Sequence, residues 1–278
     1  MHPPRSTRSS STSLHSPSNY RINKPMLIKD ITDTIEEAAP LALQESYDNA
    51  GLIIGDPGET CSGVLFCVDV TSDTVEEASR RGCNLIVSHH PLIFKGLKRL
   101  TGATMQQRAA IAAIKAGIAV YAAHTNLDAA ENGVNHTLAT MLGLTGITPL
   151  ATPPGVIGNL SPALTATELV DRIKSVCGSP VTRCTVPPVH RLSRLALCGG
   201  SGAFLIDDAV AAGADAFLTS DVKYHDFVDN AERIFIIDIG HYESEKCTKQ
   251  IFYHIVSKKF PNFALYYSET EKNPINYL

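Results

Sequence analysis

From Met26 onward the chain alternates short apolar runs with amphipathic helical stretches, and many of the runs lead into a histidine or an aspartate. GVLFCVDV, NLIVS, IAVYAAH, LALCGG, AFLTS and RIFIIDIG are compact apolar runs that read as buried strands. ITDTIEEAAP, SDTVEEASRRG, MQQRAAIAAIKAG, GVNHTLATMLG, TATELVDRIKSVCG and LIDDAVAAG carry apolar residues at helical spacing. Some open on Ser or Thr and several close on Gly, the signals that start and stop a helix. YESEKCTKQIFYHIVSKKF reads as one long final helix. Strands that alternate with helices pair in parallel, because the helix carries the chain back across the sheet. The expected class is therefore α/β, with mostly parallel sheets flanked by helices. The Pro- and Gly-rich stretch ATPPGVIGNLSP is the clearest break between two α/β units.

In open α/β sheets, ligands bind beyond the carboxyl ends of the strands. Here NLIVS runs into His89 and His90, IAVYAA into His124 and Asp128, AFLTS into Asp221 and His225, and RIFIIDIG into His241 and Glu245. Imidazole and carboxylate are the usual ligands of zinc, iron, manganese or nickel. Adjacent residues within a strand face opposite sides, but at a strand end the backbone leaves the pleat. His89 and His90 can then each address one of two neighbouring ions. His241 and Glu245, four apart at a helix start, share a face. Asp128 or Glu245 can bridge two ions roughly 3.5–4 Å apart. These observations predict a dinuclear metal site at strand carboxyl ends, although each element alone fits a polar core residue equally well. Asp221 and His225 are expected to orient substrate or exchange protons. CGGSGAF is either a tight turn or a backbone cradle for phosphate. His136, His190 and His254 have no partner at useful spacing and read as structural.

Composition narrows the classes further. The 278 residues are 44% hydrophobic and 19% charged with a net charge of -4, which predicts no nucleic-acid or membrane partner. No run approaches the ~20 apolar residues of a membrane span. The seven cysteines are scattered, with no paired metal spacing, and read as reduced buried thiols of a cytoplasmic protein. Residues 1–25 hold four basic residues, seven serines and no acid. That segment is expected to be a disordered leader, with a transit peptide to an organelle as the alternative.

The blocks QESYDNAGLIIGD, IVSHHPLIFKGLKRLTG, VYAAHTNLDAAENGVN, LALCGGSGAFLIDDAVAAGADAFLTSDVKYHD and IIDIGHYESE occur in order over about residues 26–278. Together they resemble the GTP cyclohydrolase I type 2 homolog family, also called the Nif-three-like family. The resemblance implies two divalent ions per subunit, held by residues matching His89, His90, Asp128, His241 and Glu245. It implies a first α/β domain from residues 26–130 plus 240–278, a second from 131–239, and ring-shaped homohexamers. His124 and His225 match additional cavity histidines, the candidate catalytic pair. Residues 151–194 are too few for the extra domain that some relatives insert there. The implied activity is hydrolysis of a small, phosphorylated, nucleotide-like molecule such as GTP. A metal-handling or scaffold protein without enzymatic activity is the competing expectation.

Overall fold

The computed structural model describes residues 25–277. The leader expectation for residues 1–25 therefore lies almost wholly outside the described residues. Along the chain come α1 (Ile28–Ala38), β1 (Gly51–Ile54), β2 (Val64–Cys67), α2 (Ser72–Arg80), β3 (Leu85–Ser88), α3 (Met105–Ala116), β4 (Ala119–Ala122), α4 (Thr125–Ala129) and α5 (Val134–Met141). There follow β5 (Thr145–Pro149), β6 (Val156–Leu164), α6 (Ala166–Cys177), β7 (Arg183–Cys184), β8 (Leu192–Ser201), α7 (Ile206–Ala211), β9 (Ala216–Ser220) and α8 (Tyr224–Asn230). The chain ends with β10 (Phe235–Asp238), α9 (His241–Glu245), α10 (Thr248–Lys259) and β11 (Leu265–Tyr267).

The first sheet has the order β1-β4-β3-β2-β11, parallel throughout except for the edge strand β1. The second has the order β5-β6-β8-β9-β10-β7. Its centre, β8-β9-β10, is parallel, and its edges are antiparallel. Alternate residues of each strand serve opposite faces. In the first sheet Val64, Phe66, Leu85, Val87 and Tyr121 pack against α1 and α10 through Ile31, Ile35 and Phe252. Leu65, Ile86 and Val120 pack against α2 and α3 through Val75, Ala109 and Ala113. Phe66 stacks on Phe252 at 6.1 Å, and burying such a ring contributes about 2–3 kcal/mol. The second sheet repeats the arrangement, with α5 and α6 on one face and α7 and α8 on the other.

The helix signals in the sequence act as expected. Thr165 caps α6 by accepting from Glu168 N, and Gly178 ends it at φ 56°, where a Cβ would be strained. Three local expectations are corrected. ATPPGVIGNLSP is no boundary, because Val156–Leu164 is a strand inside the second sheet, paired with β5 and β8. The long final helix is two helices, broken at Lys246 and Cys247, so that α9 lies against β8 while α10 packs under β2. Cys184 is exposed, whereas the other six cysteines are buried. None of the described helices is long and apolar enough to cross a membrane.

Candidate metal centre

The carboxyl ends of the parallel strands of both sheets face one cleft. His89 and His90 follow β3, His124 and Asp128 follow β4, Asp221 follows β9, and His241 opens α9 after β10. His89 and His90 diverge as soon as β3 ends, with ring centroids 5.0 Å apart and planes tilted by 42°. The His90 and His241 centroids are 5.2 Å apart, although 151 residues separate them in the chain. Glu245 lies between them. Its Oε2 is 2.9 Å from His90 Nε2 and 3.0 Å from His241 Nε2, while its Oε1 is 3.7 Å from His89 Nε2. Asp128 Oδ1 is 3.6 Å from that same His89 nitrogen.

Each of the four imidazoles is held by its Nδ1, which leaves Nε2 for the cleft. His89 Nδ1 meets Ala123 O at 3.0 Å, His90 meets Asp69 at 2.9 Å, His124 meets Asp48 at 2.8 Å, and His241 meets Asp221 at 2.6 Å. A carbonyl or carboxylate at Nδ1 orients a metal-binding imidazole and fixes its tautomer. Of these partners, Asp221 was singled out by sequence, but for a different role: it serves His241 and not His225. Asp69 was hidden because GVLFCVDV reads as strand to its end, whereas β2 stops at Cys67. Applying the strand-end rule there would have found it. Asp48 sits in a turn and carries no local signal.

Among the described residues two buried polar atoms here lack any hydrogen-bond partner, His89 Nε2 and Asp128 Oδ1. An unpaired buried polar atom is costly and calls for a ligand. Two ligands each ~2.1 Å from one tetrahedral ion stand about 3.4 Å apart. The 3.6 and 3.7 Å separations around His89 suit that better than a hydrogen bond. Three overlapping groups have the spacing to hold an ion: His89 with Asp128 and Glu245; His90 with His241 and Glu245; and His89 with His90 and His124. The residues present therefore fit a metal.

Gly200 leaves room for the shared carboxylate. Its φ is +63°, and a Cβ there would come within 2.1 Å of Glu245 Oε1. The three glycine amides of the Gly-rich segment are already paired. Gly199 N donates to Asn135 Oδ1, Gly200 N to Ser244 Oγ and Gly202 N to Thr219 Oγ1. The phosphate-cradle alternative thus loses its glycine donors. His225 is exposed on α8 against Tyr224 and lines neither cavity that opens on the cluster.

The charges are strongly coupled. Burial lowers the His90 pKa, but hydrogen bonds to Asp69 and Glu245 outweigh it and raise it to about 10. Burial acts likewise on His241, and Glu245 and Asp221 raise it to about 9. Burial pushes Asp128 up. Glu245 is held well below the usual carboxylate range, because the facing histidines outweigh its burial. At pH 7.5 the metal-free protein therefore carries protons on His90 and His241. Metal must displace them, so affinity should rise with pH until those imidazoles lose their protons unaided. Titration calorimetry in buffers of different ionisation heat should record that proton release. Asp69→Asn and Asp221→Asn should each weaken metal binding by about 10–100-fold, measured against a competing chelator.

Two cavities reach the cluster. One of about 530 Å³ is lined by Tyr47, His124, Asp128, Phe204, His241 and Glu245. Another of about 310 Å³ is lined by Asp69, His90, Phe94, His124 and His241.

Comparison with known proteins identifies the family and the fold. The family described as Duf34/NIF3 (NGG1p interacting factor 3) matches residues 26–274. A protein of Clostridium perfringens named GTP cyclohydrolase 1 type 2 homolog is 36% identical over 79% of this chain and 87% of its own length. A Streptococcus pneumoniae protein of the same name is also 36% identical, over 78% of this chain and 85% of its own. The crystal structure of Staphylococcus aureus hypothetical protein SA1388 superposes with a TM-score of 0.85 at 29% identity, covering 92% of this chain and all of that one. With the match spanning both sheets and every residue of the cleft, the chain belongs to the Duf34/NIF3 family.

Proposed function

We propose that the cleft holds two divalent ions, one among His90, His241 and Glu245 and one among His89, Asp128 and Glu245. We further propose that the chain hydrolyses a nucleotide-like, phosphorylated small molecule. The observation that carries this reading is the Glu245 carboxylate: its two oxygens serve different donor groups, and a cavity of about 530 Å³ opens directly onto it. A site closed on all sides would suit a structural metal, whereas open space beside the ligands suits catalysis. A metal pair held by these residues would lower the pKa of water toward about 7 and would polarise the group under attack.

The chain's own residues supply the rest. Asp48 accepts from His124 Nδ1–H, which leaves Nε2 on the side of both cavities to exchange a proton with substrate. Tyr47 and Phe204 give the larger cavity aromatic walls suited to a planar base. His225 lines neither cavity of the single subunit. The ring-shaped hexamer belongs to the same proposal. Tyr224 and Val228, exposed and one turn apart on α8, are an apolar face that a second copy would cover.

The test is turnover of GTP and of a phosphoester panel by protein loaded separately with zinc, iron, manganese or nickel. Formate or phosphate release that disappears in His124→Ala supports hydrolysis. Tight metal binding with no turnover of any substrate favours the metal-handling alternative.

A further inference from the structure

We propose that Glu271 is a positioning residue for the metal centre, acting through Asp69 on His90; this rests on the metal reading above. After β11 the C-terminal segment crosses the carboxyl ends of the first sheet. The Glu271 side chain is 2% exposed there. Its Oε1 accepts two successive backbone amides, Val68 N at 2.6 Å and Asp69 N at 2.7 Å. Its Oε2 accepts from Lys249 Nζ at 2.7 Å and lies 3.4 Å from Tyr242 Oη.

Those amides have left the β2 ladder, and the carboxylate fixes the peptide planes from which Asp69 projects. The Asp69 carboxylate is 44% exposed. Among the described residues its one hydrogen-bond partner is His90 Nδ1. Its aim therefore depends on the backbone that Glu271 holds. The other side of the same carboxylate reaches Tyr242, the neighbour of His241, and Lys249 on α10. One buried charge thus ties the loop behind His90 to α9, which carries His241 and Glu245, and to α10.

A mere anchor for the segment would not need it. Glu77 already holds residues 268–270, and Glu243 holds Asn273 on the other side. A buried ion pair is also a poor device for stability alone.

The probe is cobalt(II), followed by its visible absorption and by affinity against a chelator. Glu271→Gln keeps the size but loses the charge that grips the two amides. It should weaken cobalt binding about tenfold and shift the absorption bands, the loss expected when a partner behind a ligand is disturbed. The double variant with Asp69→Asn should bind no more weakly than Asp69→Asn alone, because both act on one element. Glu77→Gln, which loosens the same segment without touching Asp69, should leave affinity and spectrum unchanged below its melting temperature. Should Glu271→Gln fail to fold, Glu271→Asp keeps the charge one methylene short of the amides and should show the same coupling to Asp69. An unchanged spectrum and affinity, or losses that add in the double variant, overturn the proposal. Parent protein that takes up no cobalt, or that binds it equally well as Glu245→Ala, sinks the metal reading instead.

Discussion

Protein carrying Glu245→Ala should emerge from purification without metal while keeping its fold. The substitution removes the one carboxylate common to both donor groups, leaving His89 with Asp128 and His90 with His241. Losing a partner behind a ligand costs ~10–100-fold in affinity, so losing a shared ligand should exceed ~100-fold. His89→Ala should be milder, because the His90, His241 and Glu245 group survives it. The contrast matters more than either value. Elemental analysis of metal per subunit, with circular dichroism to verify the fold, measures both. If Glu245→Ala retained the parent's metal content, the cluster would not be the metal site.

The largest expected loss of stability lies away from the cleft, at Glu77. This carboxylate is 1% exposed and surrounded by donors alone. Ser268 Oγ donates at 2.8 Å, Thr270 Oγ1 at 2.8 Å, Thr270 N at 3.1 Å and Arg81 Nε at 2.9 Å. Glu77→Gln places an amide N–H against some of those donors. Stranding buried charge-assisted bonds should cost about 3 kcal/mol. At 2–4 °C per kcal/mol for a chain of roughly this size, Tm should fall by about 6–12 °C.

The pH dependence has a definite sign. Burial would raise the Glu77 pKa, but the bonds from residues 268–270 outweigh it and lower it from 4.5 to about 2. The group is charged in the folded protein and protonates sooner in the unfolded chain. Its contribution is therefore complete above pH 4.5 and drains away as pH falls toward 2. Thermal melts of parent and Glu77→Gln should differ by a constant amount from pH 5 to 7 and converge below pH 4.5. A constant difference throughout would count against this origin.

The strand-end histidines were legible in the sequence because burial makes a strand's pattern local. NLIVS and IAVYAA bury both faces, and the first polar residues past them have nowhere to go but the carboxyl edge. The four-residue step from His241 to Glu245 is likewise a property of any helical turn. The longer patterns misled. Apolar residues continue past Cys67, and no Gly or Pro interrupts the stretch across Lys246, so the ends of β2 and of α9 were not marked. LALCGG kept no visible end either, since β8 runs on through its glycines to Ser201 with an irregular pairing to β9.

By itself the sequence determined the α/β class, the helix caps and the residue types presented at each strand end, because those follow from periods of two and 3.6 residues. Only the tertiary structure decided that His90 meets Glu245 across 155 residues and that Asp48 turns to His124 across 76. It also decided that Gly200 clears the space for the shared carboxylate and that His225 stays outside. Those outcomes depend on how two sheets are set against each other, and no short window of residues encodes that.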